Sequence, residues 1–512
     1  MNRFKQSLLA LLLSSCLLLS SCAGQTPVST TEPTLTLPPV EQPYAAPIGD
    51  AALEYAATAT LYLPRYDSNL LGAFQAEVPF SAARPDAESL VRALLNQPET
   101  GTLSSLGGGV KLALYGVNPV EQSRNVVTVN LAASALQMDR KALYIACQAI
   151  TNTLTELSDI DYVNFLVVDR AIGLDVANTL PMGTFNRSVG VDIGTSYDQL
   201  MLRRVDVTQS ASDKPLASDV TLYFPLAHAS GVLSEVRNCS FHNQVMEDMI
   251  VVLLQEMALG SQENVQTPPL PLLADLLIEQ PSIQETEESG KLIVLDFAYN
   301  LDEMLAANQI SRASCMASLC YTLCTYFPGI SGIRVSIDGV PIDTVLLTDQ
   351  LESSVTFPNQ VQKRSDYATL LCDLCQLYLP SADGNKLTAV TRPVPYYQAR
   401  HPRSLLQEVA KGPKPFDLPQ ETNPVMTEGI IDDAAIIGLA LTEDTLLVNL
   451  SAAFEQTYRG NDGQQERLLA YAIVNTLCQQ SRMEKVQVFV AGKPFAGFTG
   501  EIFWETSFAP MY

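Results

Sequence analysis

The chain is poor in histidine, tryptophan and bases. Three His and one Trp in 512 residues leave too few imidazoles for a His-based metal centre and too few indoles for an aromatic sugar platform. Lys and Arg number 31 against 55 Asp and Glu, a formal balance of −24. Nucleic acid is therefore excluded as a partner, because phosphate binding needs clustered bases. Catalytic signatures are missing too. There is no Gly-x-Ser-x-Gly elbow, no Ser three residues before a Lys, no His-Glu-x-x-His and no paired-Cys zinc pattern. Gly107-Gly108-Gly109 lacks the Gly-Lys-Ser/Thr of a phosphate loop and reads as a turn. No metal, cofactor or enzymatic activity is expected. Apolar residues at 47% and charged residues at 17% exclude a disordered chain, and the length leaves room for about three domains.

Long apolar runs are also scarce. One stands out, Leu8 to Leu19, after Arg3 and Lys5. At 1.5 Å per residue it covers about 18 Å of a roughly 30 Å hydrocarbon core, too short to span. Its order of basic then apolar residues is that of a secretory signal. It closes on Leu19-Ser20-Ser21-Cys22, which resembles a bacterial lipobox and makes Cys22 the expected lipidation site. Cutting at the similar Cys16 would leave Leu17–Leu19 in the mature chain. Residues 1–21 are thus expected to be a signal peptide, and 22–54 a tether. The tether carries Pro27, Pro33, Pro38, Pro39, Pro43 and Pro47 among many Thr, and no Lys or Arg occurs between Lys5 and Arg65. Such composition favours extended chain over a core. The expected location is the extracytoplasmic face of the cell membrane, held by lipid.

The remainder repeats itself. Leu61-Tyr62-Leu63-Pro64 returns as Leu222-Tyr223-Phe224-Pro225 and as Leu377-Tyr378-Leu379-Pro380. An apolar strand with a polar residue near its end follows each: Val126–Leu131 with Asn130, Leu292–Phe297 with Asp296, Thr445–Leu450 with Asn449. Each then has a helical run with a Thr-Leu pair, Thr153-Leu154, Thr322-Leu323 or Thr476-Leu477. Closing strands begin at Val163, Ile333 and Val486, and two of them lead into turns, Asp338-Gly339-Val340-Pro341 and Ala491-Gly492-Lys493-Pro494. Matches in one order at near-constant spacing are the mark of an internal repeat.

The pattern predicts an α+β chain of three tandem two-layer β-β-α-β-β-α-β units, each with two helices packed on one face of a mixed sheet. The units are expected at 55–182, 218–344 and 367–512, with linkers at 183–217 and 345–366. In the first unit the central hairpin is expected to join Val110–Val117 to Asn125–Leu131. The acidic stretch Gln284 to Gly290 reads as a solvated hairpin loop.

With these motifs in hand, the chain resembles the GerM-type lipoproteins built from GerMN domains. The carrying residues are the Leu-Tyr-x-Pro strands, the Val-Asn-Leu strands (Val129–Leu131 and Val448–Leu450) and the Asp338-Gly339-Val340-Pro341 turn. The resemblance implies domains without known enzymatic activity and a role in spore formation or germination. It also implies two copies in the usual case. This chain departs from that with three, the second carrying Asp296 in place of Asn.

Among single residues, Cys372-Asp373-Leu374-Cys375 falls where the opening strand begins, which puts the two thiols on opposite faces and argues against a redox pair. Cys147, Cys315, Cys320, Cys324 and Cys478 lie on apolar second helices and read as packed core. Asn130, Asp296 and Asn449 are the most site-like positions. They read as caps or loop braces, with a shared ligand site as the alternative. The function expected is a membrane-anchored, non-catalytic scaffold contacting an extracytoplasmic assembly or the cell wall. The alternative is a module that binds a wall fragment or peptide.

Overall fold

The computed structural model describes residues 44–51, 53–114, 118–204, 213–347, 353–458, 462–479 and 483–512. The expected signal peptide, Cys16, Cys22 and the tether up to residue 43 lie outside the described residues.

Strand β1 (Glu54–Pro64) pairs antiparallel with β2 (Leu71–Ser81), Leu61 facing Phe74. Helix α1 (Asp86–Leu95) follows and buries Leu90, Val91 and Leu94 along one stripe. Next come β3 (Val120–Ser123), β4 (Val126–Leu131), α2 (Arg140–Leu154), β5 (Tyr162–Val167) and β6 (Arg170–Ala171). They form a sheet in the order β3-β4-β5-β6. Strands β4 and β5 run parallel, a pairing that needs a crossover, here α2. Asp139 starts that helix by accepting the Ala142 N–H at 3.0 Å. All six residues of β4 are buried, which is why it reads as a continuous apolar run. Short strand β7 (Phe185–Asn186) pairs with β5, and α3 (Ile193–Arg204) follows.

The middle region opens with the hairpin β8 (Leu216–Pro225) and β9 (Val232–Phe241), then α4 (Met246–Ala258). Strands β10 (Ser282–Thr286) and β11 (Gly290–Phe297), helices α5 (Leu301–Ala307) and α6 (Arg312–Tyr326), then β12 (Ile330–Ile337) and β13 (Val340–Pro341) complete it. The sheet order is β10-β11-β12-β13, with β11 and β12 parallel. A small hairpin of β14 (Thr344–Leu346) and β15 (Ser354–Thr356) leads out.

The C-terminal region has the hairpin β16 (Cys372–Pro380) and β17 (Leu387–Pro395) and helix α7 (Pro402–Ala410). Strands β18 (Ile436–Thr442) and β19 (Thr445–Leu450), helix α8 (Gly463–Gln479), then β20 (Lys485–Val490) and β21 (Lys493–Pro494) follow. The sheet order is β18-β19-β20-β21, with β19 and β20 parallel. The chain is thus mixed α+β, built of several small sheets and helices. Three large apolar clusters lie mainly in one region each: one around Leu61, Val129 and Ile150, one around Phe224, Leu295 and Cys320, one around Leu377, Val448 and Trp504.

Four features differ from the sequence expectation. Each opening hairpin forms its own two-stranded sheet and does not join the mixed sheet. The partner of β4 is Val120–Ser123, not Val110–Val117. Arg124 at φ 54° closes that tight turn, and Leu112 makes only an isolated bridge to Leu131. The stretches read as linkers carry β7, α3, β15 and the buried Arg364. Finally, residues near the end of the expected tether are held. Gly49 and Ala51 donate N–H bonds to the carbonyls of Ile437 (3.0 Å) and Leu439 (2.9 Å) along β18. Backbone-to-backbone pairing of this kind leaves no trace in composition.

Candidate functional site: braced turns, a buried junction and return segments

Asn130, Asp296 and Asn449 do not converge on a shared pocket. Each braces the turn that leaves the last parallel strand of its own sheet. The side-chain oxygen of Asn130 accepts the N–H of Asp169 at 3.0 Å, that of Asp296 the N–H of Gly339 at 3.0 Å, and that of Asn449 the N–H of Gly492 at 3.1 Å. All three turns hold two consecutive residues at positive φ: Val168 and Asp169, Asp338 and Gly339, Ala491 and Gly492. Two-residue hairpins with that geometry follow the twist of their strands. Asp296 also accepts from Ser336 Oγ at 2.7 Å, and the Asn449 amide donates to the Pro47 carbonyl at 2.8 Å.

The cysteines are packed. All eight described ones are unpaired and buried. Cys372 packs with Leu226 and Leu233, whereas Cys375 sits in the C-terminal core. Burial pushes the Cys372 thiol up to about 12, so it is not a thiolate at neutral pH. Among the described residues no cluster of His, Cys, Asp and Glu is placed to hold a metal ion. No described helix is long and apolar enough to cross a membrane.

Arg364 is the centre of a buried junction between the N-terminal and middle regions. Its guanidinium pairs with Glu121 on β3, lies 3.5 Å from Asp169, and stands 4.6 Å over the Tyr321 ring on α6. It also donates to Thr325. Burial raises the Glu121 carboxyl, with the Arg364 charge working against that rise. The tip of the β3–β4 turn ties in the third region: Ser123 Oγ donates to the Cys372 carbonyl at 2.7 Å and accepts the Ser234 N–H at 3.1 Å. The Arg124 N–H reaches Asp373 at 2.7 Å.

A third arrangement escaped sequence reading. After each mixed sheet the chain returns and pairs antiparallel with its last parallel strand: Phe185 with Val163, Gln362 with Ile333, Phe508 with Val486. The first return segment then crosses α2, where the Asn152 side chain accepts the Ser188 N–H (3.1 Å) and donates to its carbonyl (2.5 Å). Asn475 on α8 does the same to Met511, at 2.9 and 2.7 Å. Beside these clamps, Arg187 lies 5.4 Å over Tyr62 and Tyr512 packs 5.7 Å from Tyr378. The middle region has Tyr321 in place of the Asn and takes Arg364 there. The signal available was the shared stretch Ala149–Leu154 and Ala472–Leu477, whose Asn is absent from the middle region.

Two stretches of the chain, residues 60–172 and 376–496, match the Germane family, described as sporulation and spore germination. The match supports a GerM-type protein, with Germane domains in the N-terminal and C-terminal regions. Among solved structures, the tandem GerMN domains of the sporulation protein GerM from Bacillus subtilis align at 16% identity over 60% of this chain and 99% of that one, with a TM-score of 0.21. The first GerMN domain of the same protein aligns at 18% identity over 25% of this chain and 88% of that one, with a TM-score of 0.19. No curated protein matches the chain.

Proposed function

We propose that the chain is a membrane-anchored, extracytoplasmic, non-catalytic lipoprotein that serves as a multi-domain scaffold in sporulation or spore germination. The Germane match at residues 60–172 and 376–496 carries this reading. In it, the middle region is a third, diverged copy of the same β-β-α-β-β-α-β unit. Support comes from the corresponding bonds Tyr62–Thr153, Tyr223–Thr322 and Tyr378–Thr476 and from the three braced turns. Residues 1–21 are removed, Cys22 carries the lipid, and the partners are the membrane and an extracytoplasmic protein assembly or the cell wall. The most buried polar groups are engaged in packing: Arg364 bridges two regions, and Arg392 on β17 bonds Asp417, Glu408 and the Gly412 carbonyl. A scaffold of fixed shape needs such junctions.

Detergent phase separation tests the anchor. The wild-type protein is expected in the detergent phase and Cys22→Ala in the aqueous phase. Deleting the gene in its source organism is expected to lower the yield of heat-resistant or germinating spores, with the Cys22→Ala allele restoring little. Normal spores from the deletion strain would refute the role, and aqueous partitioning of the wild type would refute the anchor.

A further inference from the structure

The outer strands of the C-terminal and middle sheets are covered differently. Along β18 lies the chain's own segment 47–51. Besides the backbone bonds from Gly49 and Ala51, its Asp50 carboxylate accepts the Leu439 N–H at 3.2 Å and pairs with Arg403 on α7 at 2.7 Å. Its Pro47 carbonyl accepts from the Asn449 amide. Main-chain and polar bonds hold the segment, not apolar burial, since Ile48 is 92% exposed. Strand β10 is the outer strand of the middle sheet, and among the described residues no strand pairs with its free side. Two buried arginines align the regions. Arg392 donates to the carbonyls of Glu408 and Gly412 at the end of α7, and Arg237 to those of Glu256 and Gly260 at the end of α4. Counting back equally from the two glycines puts Val251 where Arg403 stands and Gln255 where Gln407 stands. Arg403 and Gln407 reach across to Asp433, on the chain entering β18. Beside Val251 and Gln255 there is instead a groove of about 350 Å³ that extends to Gln280, on the chain entering β10. Its ionisable lining groups are Asp248 and His242, with no Lys or Arg. Glu279 and Glu285 stand exposed beside it and on β10.

We infer that the β10 edge and its groove bind an extended basic segment of a partner protein, laid along β10 as residues 47–51 lie along β18. The polarity of the seat is reversed at both points where side chains fix the template. Arg403, which takes Asp50, gives way to Val251, with the Asp248 carboxylate one turn earlier on α4. Asn449, whose amide donates to the segment, gives way to Asp296, a carboxylate that only accepts. A Lys or Arg in the occupant answers both changes. Along an exposed edge the main-chain bonds supply affinity and the side chains specificity, and Glu285 blunts the edge against indiscriminate pairing. The chain's own tether cannot be the occupant, because it holds no Lys or Arg between Lys5 and Arg65. A second copy would bring Asp248, Glu279 and Glu285 against their own counterparts. The inference rests on the proposed reading of the middle region as a third copy of the unit, and adds a contact surface to the scaffold.

The test is fluorescence anisotropy of a labelled synthetic peptide with the sequence of residues 44–53 carrying Asp50→Lys, titrated with the full chain in detergent micelles. Saturable binding is expected, at least tenfold tighter than that of the same peptide with Asp50 retained. It should weaken at least tenfold in the Asp248→Lys, Glu279→Lys variant, whose substituted side chains are exposed. The Glu77→Lys, Glu455→Lys variant makes the same change of charge at exposed positions in the N-terminal and C-terminal regions and should bind as the wild type does. Circular dichroism verifies that both variants are folded. In the wild type, hydrogen exchange should show the amides of residues 282–286 gaining protection when the peptide binds. Absence of saturable binding, equal loss in the two variants, or protection gained elsewhere and not on β10 overturns the proposal. Concentration-dependent dimers that exclude the peptide overturn it in favour of a second copy as the occupant. Spore counts and detergent partitioning judge the scaffold reading by themselves, so its failure is told apart from failure of this contact.

Discussion

The hydroxyl of Thr476 accepts the backbone N–H of Tyr378 at 3.0 Å. It joins two marks of the sequence similarity, the Leu-Tyr-x-Pro strand and the Thr-Leu pair of the second helix. Thr153 does the same for Tyr62 at 3.0 Å, and Thr322 for Tyr223 at 3.1 Å. The helix is thereby fixed on the opening strand at one point in each region, and the strand's N–H is satisfied by a side chain where no neighbouring strand is present.

Thr476→Val keeps the shape of the side chain and removes the acceptor. The buried N–H of Tyr378 is then unsatisfied, at a cost of about 1–3 kcal/mol. Thr476→Ser keeps the oxygen and should lose much less. Urea unfolding followed by Trp504 fluorescence reads the difference, since Trp504 lies fully buried in the same core. Equal midpoints for the Val and Ser variants would show that methyl packing, not the hydrogen bond, fixes the helix.

Glu466 gives the C-terminal region an acid-sensitive point. Its carboxylate accepts the Trp504 indole N–H at 2.8 Å and the N–H groups of Phe498 (2.8 Å) and Thr499 (2.9 Å). Burial works to raise its pKa, but the hydrogen bonds from Thr499, Phe498 and Trp504 outweigh it and hold the carboxyl below its ordinary value. A depressed folded-state pKa contributes stability that is fully present above the unfolded value of about 4.3 and is lost as pH falls through the folded value. Trp504 fluorescence is expected to report loosening of this core below about pH 4. Glu466→Gln should be less stable at neutral pH and show a flatter acid dependence. An unchanged acid limb in that variant would assign the sensitivity to other carboxylates.

Much of this was visible in the sequence, and the limits are physical. The Asn/Asp and Thr-Leu marks stood out because in each region their side chains accept a corresponding backbone N–H, and the Leu-Tyr-x-Pro mark because its apolar residues are buried in all three regions. Asn130, Asp296 and Asn449 were legible as loop braces or caps, but not as acceptors from the turn across the sheet, since that partner is a backbone N–H with no residue preference. The return segments were illegible because they pair through one or two residues, too few for a periodicity. Arg364 lies in a stretch whose polar composition reads as linker, and only the fold brings Glu121 and Tyr321 to it.

Arg364→Met leaves Glu121 buried without its cation and should cost about 3–5 kcal/mol. Pairing Arg364→Met with Glu121→Gln removes both charges and should recover most of that loss. Thermal melts of the two single variants and the double variant form a cycle that measures the coupling. Additive losses would mean that Arg364 acts through Asp169, Tyr321 and Thr325 and not through Glu121.

Gly438 marks where the incoming chain is captured. A Cβ at that position would stand 2.5 Å from the Gly49 carbonyl oxygen, 2.7 Å from that of Pro47 and 2.8 Å from the Gly49 nitrogen. All three are backbone atoms and cannot swing aside as a side chain can. Gly438→Ala should therefore push residues 47–51 off β18. The amides of Gly49 and Ala51, now bonded to Ile437 and Leu439, should lose protection in hydrogen exchange, while the Gly492 amide, braced by Asn449, keeps its own. Arg403→Ala removes the partly exposed pair with Asp50 (2.7 Å), worth about 0–1 kcal/mol, and the donations to the Asp433 and Ile436 carbonyls, but no bond of the Gly49 or Ala51 amides, and should leave that protection nearly unchanged. If instead the Arg403 variant frees the segment and the Gly438 variant does not, the ion pair holds it and the backbone pairing follows.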